Sequence, residues 1–232
     1  MDENKSNERK RALIVFGKLP GSGGKSRIKC LDAEEKYNLT SSLFSDTVNL
    51  GLNSNADFFL FITPYEKAHK SLEYVPADRM FPQKGRDLGE RMFNSIEKVK
   101  NLGYDGVILI GTDIPYITNE IIEDAFEVLE ENDSVLGKTD DGGYWLIGLK
   151  KPYKEIFDME YSTPKVASET VKRFEDLNLS FGFTQTLKDI DTDDDFIELK
   201  RFTERILSEN KGIIQDSYPY RNTLEFIKNR KR

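Results

Sequence analysis

Short unbroken apolar runs alternate along this chain with longer stretches in which apolar residues recur every three or four positions. "ALIVFGK" (12–18) reads as a strand buried on both faces. Asp32 followed by Glu35 is a capping box, and Leu39, Leu43, Val48 and Leu52 supply the apolar face of the helix it opens. "ADFFLFIT" (56–63) predicts a second strand, stopped by Pro64, with a short helix over about 65–72. "DRMFPQ" gives a weak third strand, and Asp87 with Glu90 forms another capping box for a helix to about Leu102. "GVILIG" (106–111) is a further strand, followed by a helix from about Thr118 to Glu130. "SVLGK" and "YWLIGL" are two strands separated by "TDDGG". Helical spacing returns over 164–177, "SFGFTQT" is strand-like, and Thr192 with Asp195 caps a helix through Leu207. "SYPYRNTLEFIKNR" predicts a short terminal helix.

This alternation implies an α/β protein: a single-domain, open, mostly parallel twisted sheet with helices on both faces. The boundaries fall at 1–10 for a charged tail, 11–210 for the domain and 211–232 for a C-terminal extension. There is no internal repeat and no low-complexity linker. Ligands of such sheets bind beyond the carboxyl ends of the strands, so the residues that follow each strand are the ones to read.

Composition narrows the chemistry. The chain has 232 residues, 38% of them hydrophobic, enough for one real core. A net charge of −7 argues against nucleic acid or an anionic membrane as partner. One cysteine, Cys30, rules out an internal disulfide, and one histidine, His69, leaves His-centred metal cages and Ser-His-Asp triads without their partners. No apolar run is long enough to span a membrane, and the charged N-terminus has no signal-peptide core, so a cytoplasmic protein is expected.

"KLPGSGGKSRIK" follows the first strand and resembles a phosphate loop of the Walker type, but the spacing fails: Leu19 stands where the first Gly is required. A GxGxxG reading fails at Ser26. What remains is a glycine-rich turn in which Gly23 and Gly24 let bare backbone approach an anion, with Lys25 and Arg27 to neutralise it. The plainer account is a solvated surface loop. Asp113 ends the strand before "IP", well placed for a divalent metal beside phosphates, or else for a turn or helix cap. In "KTDDGGYWLIGL" two adjacent acids meet two glycines and two aromatics: a tight hairpin, or a site in which Tyr144 and Trp145 stack on a base or sugar. Alternation along the strand lets only one of them face a given side. Asp189 and Asp191 share a side if "LKDIDT" is extended and offer a second metal carboxylate, whereas Asp193, Asp194 and Asp195 suit a helix N-terminus. Lys84 and Arg86 flank Gly85 just ahead of a helix start, an arrangement that suits an anion.

"LIVFGKLPGSGGKSRI", "QKGRDLGERM", "VILIGTDIPYI", "DDGGYWLIGL" and "YSTPKV", in that order over about residues 11–200, resemble the DUF2064 family of GT-A-like nucleotide-diphospho-sugar transferases. A more distant similarity is to the guanylyltransferases of molybdopterin and phospholactate cofactor synthesis. The resemblance implies a nucleotide site at Gly17, Lys18, Lys25 and Arg27, a metal carboxylate at Asp113, and donor or acceptor contacts from Asp141, Gly142, Gly143 and Tyr144. It also implies a late acid, Asp189 or Asp191. The first loop departs from the family's usual "KAPxPGxxKTRL": it is one residue shorter, and Ser26 replaces Thr.

The expected function is therefore a transferase using Mg²⁺ or Mn²⁺ and a nucleotide-activated small-molecule donor. A glycosyltransferase moving a sugar from an NDP-sugar to a small acceptor comes first, with Lys25 and Asp141 as catalytic residues. A nucleotidylyltransferase acting on an NTP and a phosphorylated acceptor uses the same loop and the same Asp113. A non-catalytic nucleotide-binding relative is the third reading. A homo-oligomer is compatible with each.

Overall fold

Ala12 to Gly17 are all buried, and Arg11–Lys18 forms β1. A strand this apolar on both sides needs cover on both sides, which the centre of a parallel sheet provides. The structure, a computed structural model, describes residues 9–23, 25–211, 213–215 and 218–230; Gly24 and the first eight residues of the expected tail lie outside it. β1 pairs in parallel with β2 (Asp57–Thr63) and β4 (Gly106–Ile110), and β2 pairs in parallel with the short β3 (Met80–Pro82). β5 (Ser134–Lys138) and β6 (Tyr144–Leu149) make a hairpin whose second strand inserts antiparallel against β4. β7 (Phe181–Phe183) closes the far edge parallel to β5. Among the described residues this is one seven-stranded sheet of order β3-β2-β1-β4-β6-β5-β7, parallel except for β6.

Helices cover both faces, as expected. Leu13 and Val15 of β1 face the cluster that includes Phe44 and Val48 of α1 (Ala33–Leu52), Ala68 of α2 (Tyr65–Ser71) and Phe126 of α4 (Asn119–Glu131). Ala12, Ile14 and Phe16 face the opposite way, onto Met92 and Ile96 of α3 (Leu88–Lys100) and Phe174 of α5 (Val166–Asp176). His69 is exposed on α2.

Three expectations need correction. Leu52 is 37% exposed, and Leu50 takes the buried place. α1 is buried on two sides, so its apolar residues do not form one stripe: Leu39 and Leu43 turn outward onto Phe196 and Leu199 of α6 (Asp193–Glu209) and Ile227 of α7 (Arg221–Asn229). The 211–232 segment accordingly carries α7 into this outer layer. The buried Asp46 of α1 accepts from the backbone N–H and side-chain amide of Asn222 (2.8 and 2.7 Å) and from the N–H and hydroxyl of Thr223 (2.8 and 2.6 Å), satisfying the open N-terminus of α7. Finally, Asp87 caps α3 through Glu90 N–H, but Glu90 does not reciprocate; its carboxylate takes the Arg86 N–H and Nε instead. The capping boxes at Asp32 and Thr192 are complete.

Candidate functional site

The crevice beyond the carboxyl ends of β1 and β4 is where the strand order reverses, and three separate segments meet there. The first is the glycine loop. Gly17, at the end of β1, packs against the segment after β4; a Cβ there would stand 2.7 Å from Thr112 Cγ2. Gly21 and Gly23 have φ of +83° and +91°, the left-handed region that glycine enters freely. Lys25 also has positive φ, 56°, and its carbonyl accepts from Ile28 N–H, whose side chain is anchored in the outer layer. This backbone path turns the Lys25 side chain inward until only 3% of it is exposed.

The second segment is the end of β4, which presents Asp113, half exposed. The third comes from far along the chain. Beyond β7 the backbone keeps following β5, through Thr184 N–H to Leu136 O and Leu187 N–H to Lys138 O. It then crosses to β4, where Ile190 N–H donates to the Asp113 carbonyl at 3.2 Å. The next residue is Asp191.

These segments converge on one ammonium. Lys25 Nζ lies 2.7 Å from Asp113 Oδ1 and 3.0 Å from Asp191 Oδ1, and Arg27 pairs with the other oxygen of Asp191. Burial works against the charge on Lys25, but the two carboxylates outweigh it and hold its pKa above the ordinary value. Burial likewise raises Asp191, and Lys25 and Arg27 reverse the sign, leaving it below the usual carboxylate range. For Asp189 the balance falls the other way: burial first, then the charges of Asp191 and Asp141, outweigh the pull of Lys25 and push it up to about 6.

Two adjoining cavities open from this cluster. The first, about 570 Å³, runs from Lys25, Asp113 and Asp191 past Gly17, Lys18 and Gly23 to Gln83 and Arg91. The second, about 740 Å³, lies between Arg27, Asp141, Gly143 and the hydroxyl-bearing run Tyr161, Ser162 and Thr163. Leu88, Met92, Tyr144 and Asp191 border both.

The structure thus brings together Gly17, Lys18, Gly23, Lys25, Arg27, Asp113, Asp141, Gly143, Tyr144 and Asp191. Lys84 and Asp189 line neither cavity. Trp145 borders the first cavity beside Tyr144, but it is 3% exposed and its indole N–H donates to Gln185 O at 3.2 Å; of the two only Tyr144 also borders the second cavity. Asp141 Oδ1 is engaged within the hairpin turn by the Thr139 hydroxyl (2.6 Å) and Gly143 N–H (3.1 Å). Gly142, at φ +90°, lies so close to Pro164 that a Cβ would fall 2.0 Å from its carbonyl oxygen, and its own carbonyl accepts from Ala167 N–H, which pins the turn to the start of α5. Among the described residues no three His, Cys, Asp or Glu side chains form a ready-made metal cage. No helix among them is long and apolar enough to cross a membrane.

Sequence reasoning missed Gln83, Arg91 and the 161–163 hydroxyls. "QKGRDLGERM" and "YSTPKV" were visible as motifs, but an Arg inside a helical pattern and a Ser-Thr loop carry no signal of which cavity they meet.

The fold is shared with nucleotide-diphospho-sugar transferases and cytidylyltransferases. The model of the family described as "Uncharacterized protein conserved in bacteria (DUF2064)" matches residues 47–163, half of the chain, and the chain belongs to that family. Among solved structures it is similar to a protein of Desulfovibrio desulfuricans G20 provisionally described as a nucleotide-diphospho-sugar transferase, with a TM-score of 0.76, 24% identity, and 94% and 97% of the two chains covered. It is also similar to 4-diphosphocytidyl-2C-methyl-D-erythritol synthase of Anaerococcus prevotii DSM 20548 (TM-score 0.57, 14% identity, 85% and 97% covered). A cytidylyltransferase of Leptospira borgpetersenii gives a TM-score of 0.55 at 13% identity, with 97% and 99% covered. No curated protein sequence matches the chain.

Proposed function

We propose that this protein is a metal-dependent glycosyltransferase that moves a sugar from a nucleoside-diphosphate donor to a small acceptor. The observation that carries the reading is the Lys25–Asp113–Asp191 cluster at the strand-order reversal, standing between one cavity of about 570 Å³ and a second bordered by the hydroxyls of Tyr161, Ser162 and Thr163. The donor's nucleotide occupies the first cavity. Its diphosphate lies against the glycine loop, where Lys25 and Arg27 stabilise the charge that develops on the leaving group. The acceptor enters the second cavity, and Asp141 on its wall accepts the proton of the attacking hydroxyl.

Asp113 and Asp191 fit a hard divalent cation. Mg²⁺ commonly takes one or two carboxylates and completes its shell with substrate phosphates and water, so two converging acids suffice. A cation held by Asp113 and Asp191 would supply positive charge beside the departing diphosphate.

The likeness to cytidylyltransferases supports a second reading, nucleotidyl transfer from an NTP in the same cavity. Thermal unfolding against NDP-sugars and NTPs, with and without Mn²⁺, tests both, because ligands that bind the native state raise its melting temperature. The expected result is a Mn²⁺-dependent shift with one NDP-sugar, lost in Asp113→Ala. A shift confined to an NTP selects the second reading, and no shift with any nucleotide overturns both.

A further inference from the structure

The charged groups around the first cavity are unevenly committed. Lys25 is held by two carboxylates, whereas the exposed Lys18 at the end of β1 has no carboxylate partner among the described residues. At the other end, Arg91 spends its Nε donor on the carbonyl of Gly85 at 3.1 Å and has no carboxylate partner among the described residues. The neighbouring acids are taken: Asp87 accepts from Glu90 N–H, and Glu90 holds Arg86. Gly85 keeps Arg91 in place. Its φ is +148°, and a Cβ on it would stand 2.7 Å from the Arg91 nitrogen and 3.0 Å from its Cγ.

The wall beside Arg91 has also been cleared for an anion. Carbonyls at strand ends repel negative charge when they face a cavity bare. Here Gln83 Nε2 donates to two of them, Gly17 O at 2.7 Å and Phe61 O at 3.1 Å. The two carboxylates on the cavity wall, Asp113 and Asp191, are gathered on Lys25.

We infer that Arg91 is an anion-binding residue of this site and takes phosphoryl oxygens of the ligand through the guanidinium donors left free by Gly85. A planar fork of N–H groups suits phosphate oxygens bidentately, and charge-assisted bonds of this kind are about twice as strong as neutral ones. The inference rests on the nucleotide reading for the ligand's name. The phosphoryl group belongs either to the donor's diphosphate or to a phosphorylated acceptor.

Titration calorimetry on the whole protein with inorganic pyrophosphate, in the absence of divalent ions, tests the anion site without assuming a base or a sugar. Wild type is expected to bind, and Arg91→Gln to weaken binding by about tenfold or more. Arg91→Lys, which keeps the charge but not the fork, is expected to lose about three- to tenfold and serves if Arg91→Gln does not fold. Lys98→Gln removes the same charge from the far end of α3 and is expected to change affinity less than about twofold, as screening requires. Repeating the titration with UDP and CDP, and with a sugar phosphate, identifies the source of the group: the arm that loses affinity in the Arg91 variants carries it. Nucleotide binding by wild type with equal affinity in every Arg91 variant, for all of these probes, overturns the inference and leaves the nucleotide reading standing. Binding of no probe by folded wild type overturns both.

Discussion

Lys25 Nζ stands 2.7 Å from Asp113 Oδ1 and shares its charge with Asp191, so the protein's own ammonium lies between the two acids assigned to the divalent cation. The ammonium and the cation compete for the same carboxylates unless the donor's phosphates draw Lys25 away. Lys25→Met is therefore expected to bind Mn²⁺ alone about five- to tenfold more tightly than wild type, and to bind the donor with metal more weakly. Without metal it should be less stable by about 1–3 kcal/mol, because two acids then share the site with no cation and only the half-exposed Asp113 is relieved by water. Calorimetry with Mn²⁺ alone checks this, and unchanged or weaker metal binding would refute the exchange.

Gly142 fixes the hairpin that carries Asp141 to the start of α5. Gly142→Ala combines a strained φ with a 2.0 Å approach to Pro164 O, and is expected to destabilise the fold by about 2–4 kcal/mol. Urea unfolding measures it; a change below 1 kcal/mol, on the order of an ordinary surface substitution, would mean that the loops separate easily.

Asp133 and Ser180 clamp the start of β5 to the start of β7. Asp133 Oδ2 accepts from Ser180 N–H at 2.9 Å and from its hydroxyl at 2.7 Å, and these bonds hold its carboxyl below the usual range. A depressed acid stabilises the fold above its unfolded pKa and loses that contribution as pH falls through the folded one. Wild type should exceed Ser180→Ala by about 1 kcal/mol at pH 7, with the gap closing below about pH 4. A gap independent of pH would show that the carboxylate plays no part.

Asp46 satisfies four donors at the N-terminus of α7. In Asp46→Asn one amide NH₂ must face the donors of Thr223 or of Asn222, at an expected cost of about 2–3 kcal/mol. Limited proteolysis should then cut ahead of α7 well below the melting temperature of the remainder; simultaneous loss of the whole fold would show that the outer layer is not a separable unit.

The sheet was legible in the chain because its strands are continuous apolar runs bounded by Gly, Pro or Asp, and their limits fall within a residue or two of those expected, except at the short edge strand β7. The cations and acids after β1 and β4 were legible for the same reason: they follow strands. Asp191 was legible only as one of two choices, since its position is set by a backbone bond from Ile190 to Asp113 that no local pattern encodes. Lys84 drew attention by standing next to a glycine, yet it is Arg91, in the first turn of α3, that reaches the cavity. The docking of α7 was hidden because its partner, Asp46, is a polar residue in mid-helix whose burial depends on the last residues of the chain.

The splice of Ile190 onto Asp113 gives the site a birth order. Most of the residues that line the first cavity, from Phe16 to Asp113, lie in the first half of these 232 residues. Until the segment after β7 has been made and has crossed the sheet, Lys25 has one acid instead of two. The fold can begin early, but the site is complete only once the segment after β7 has been made.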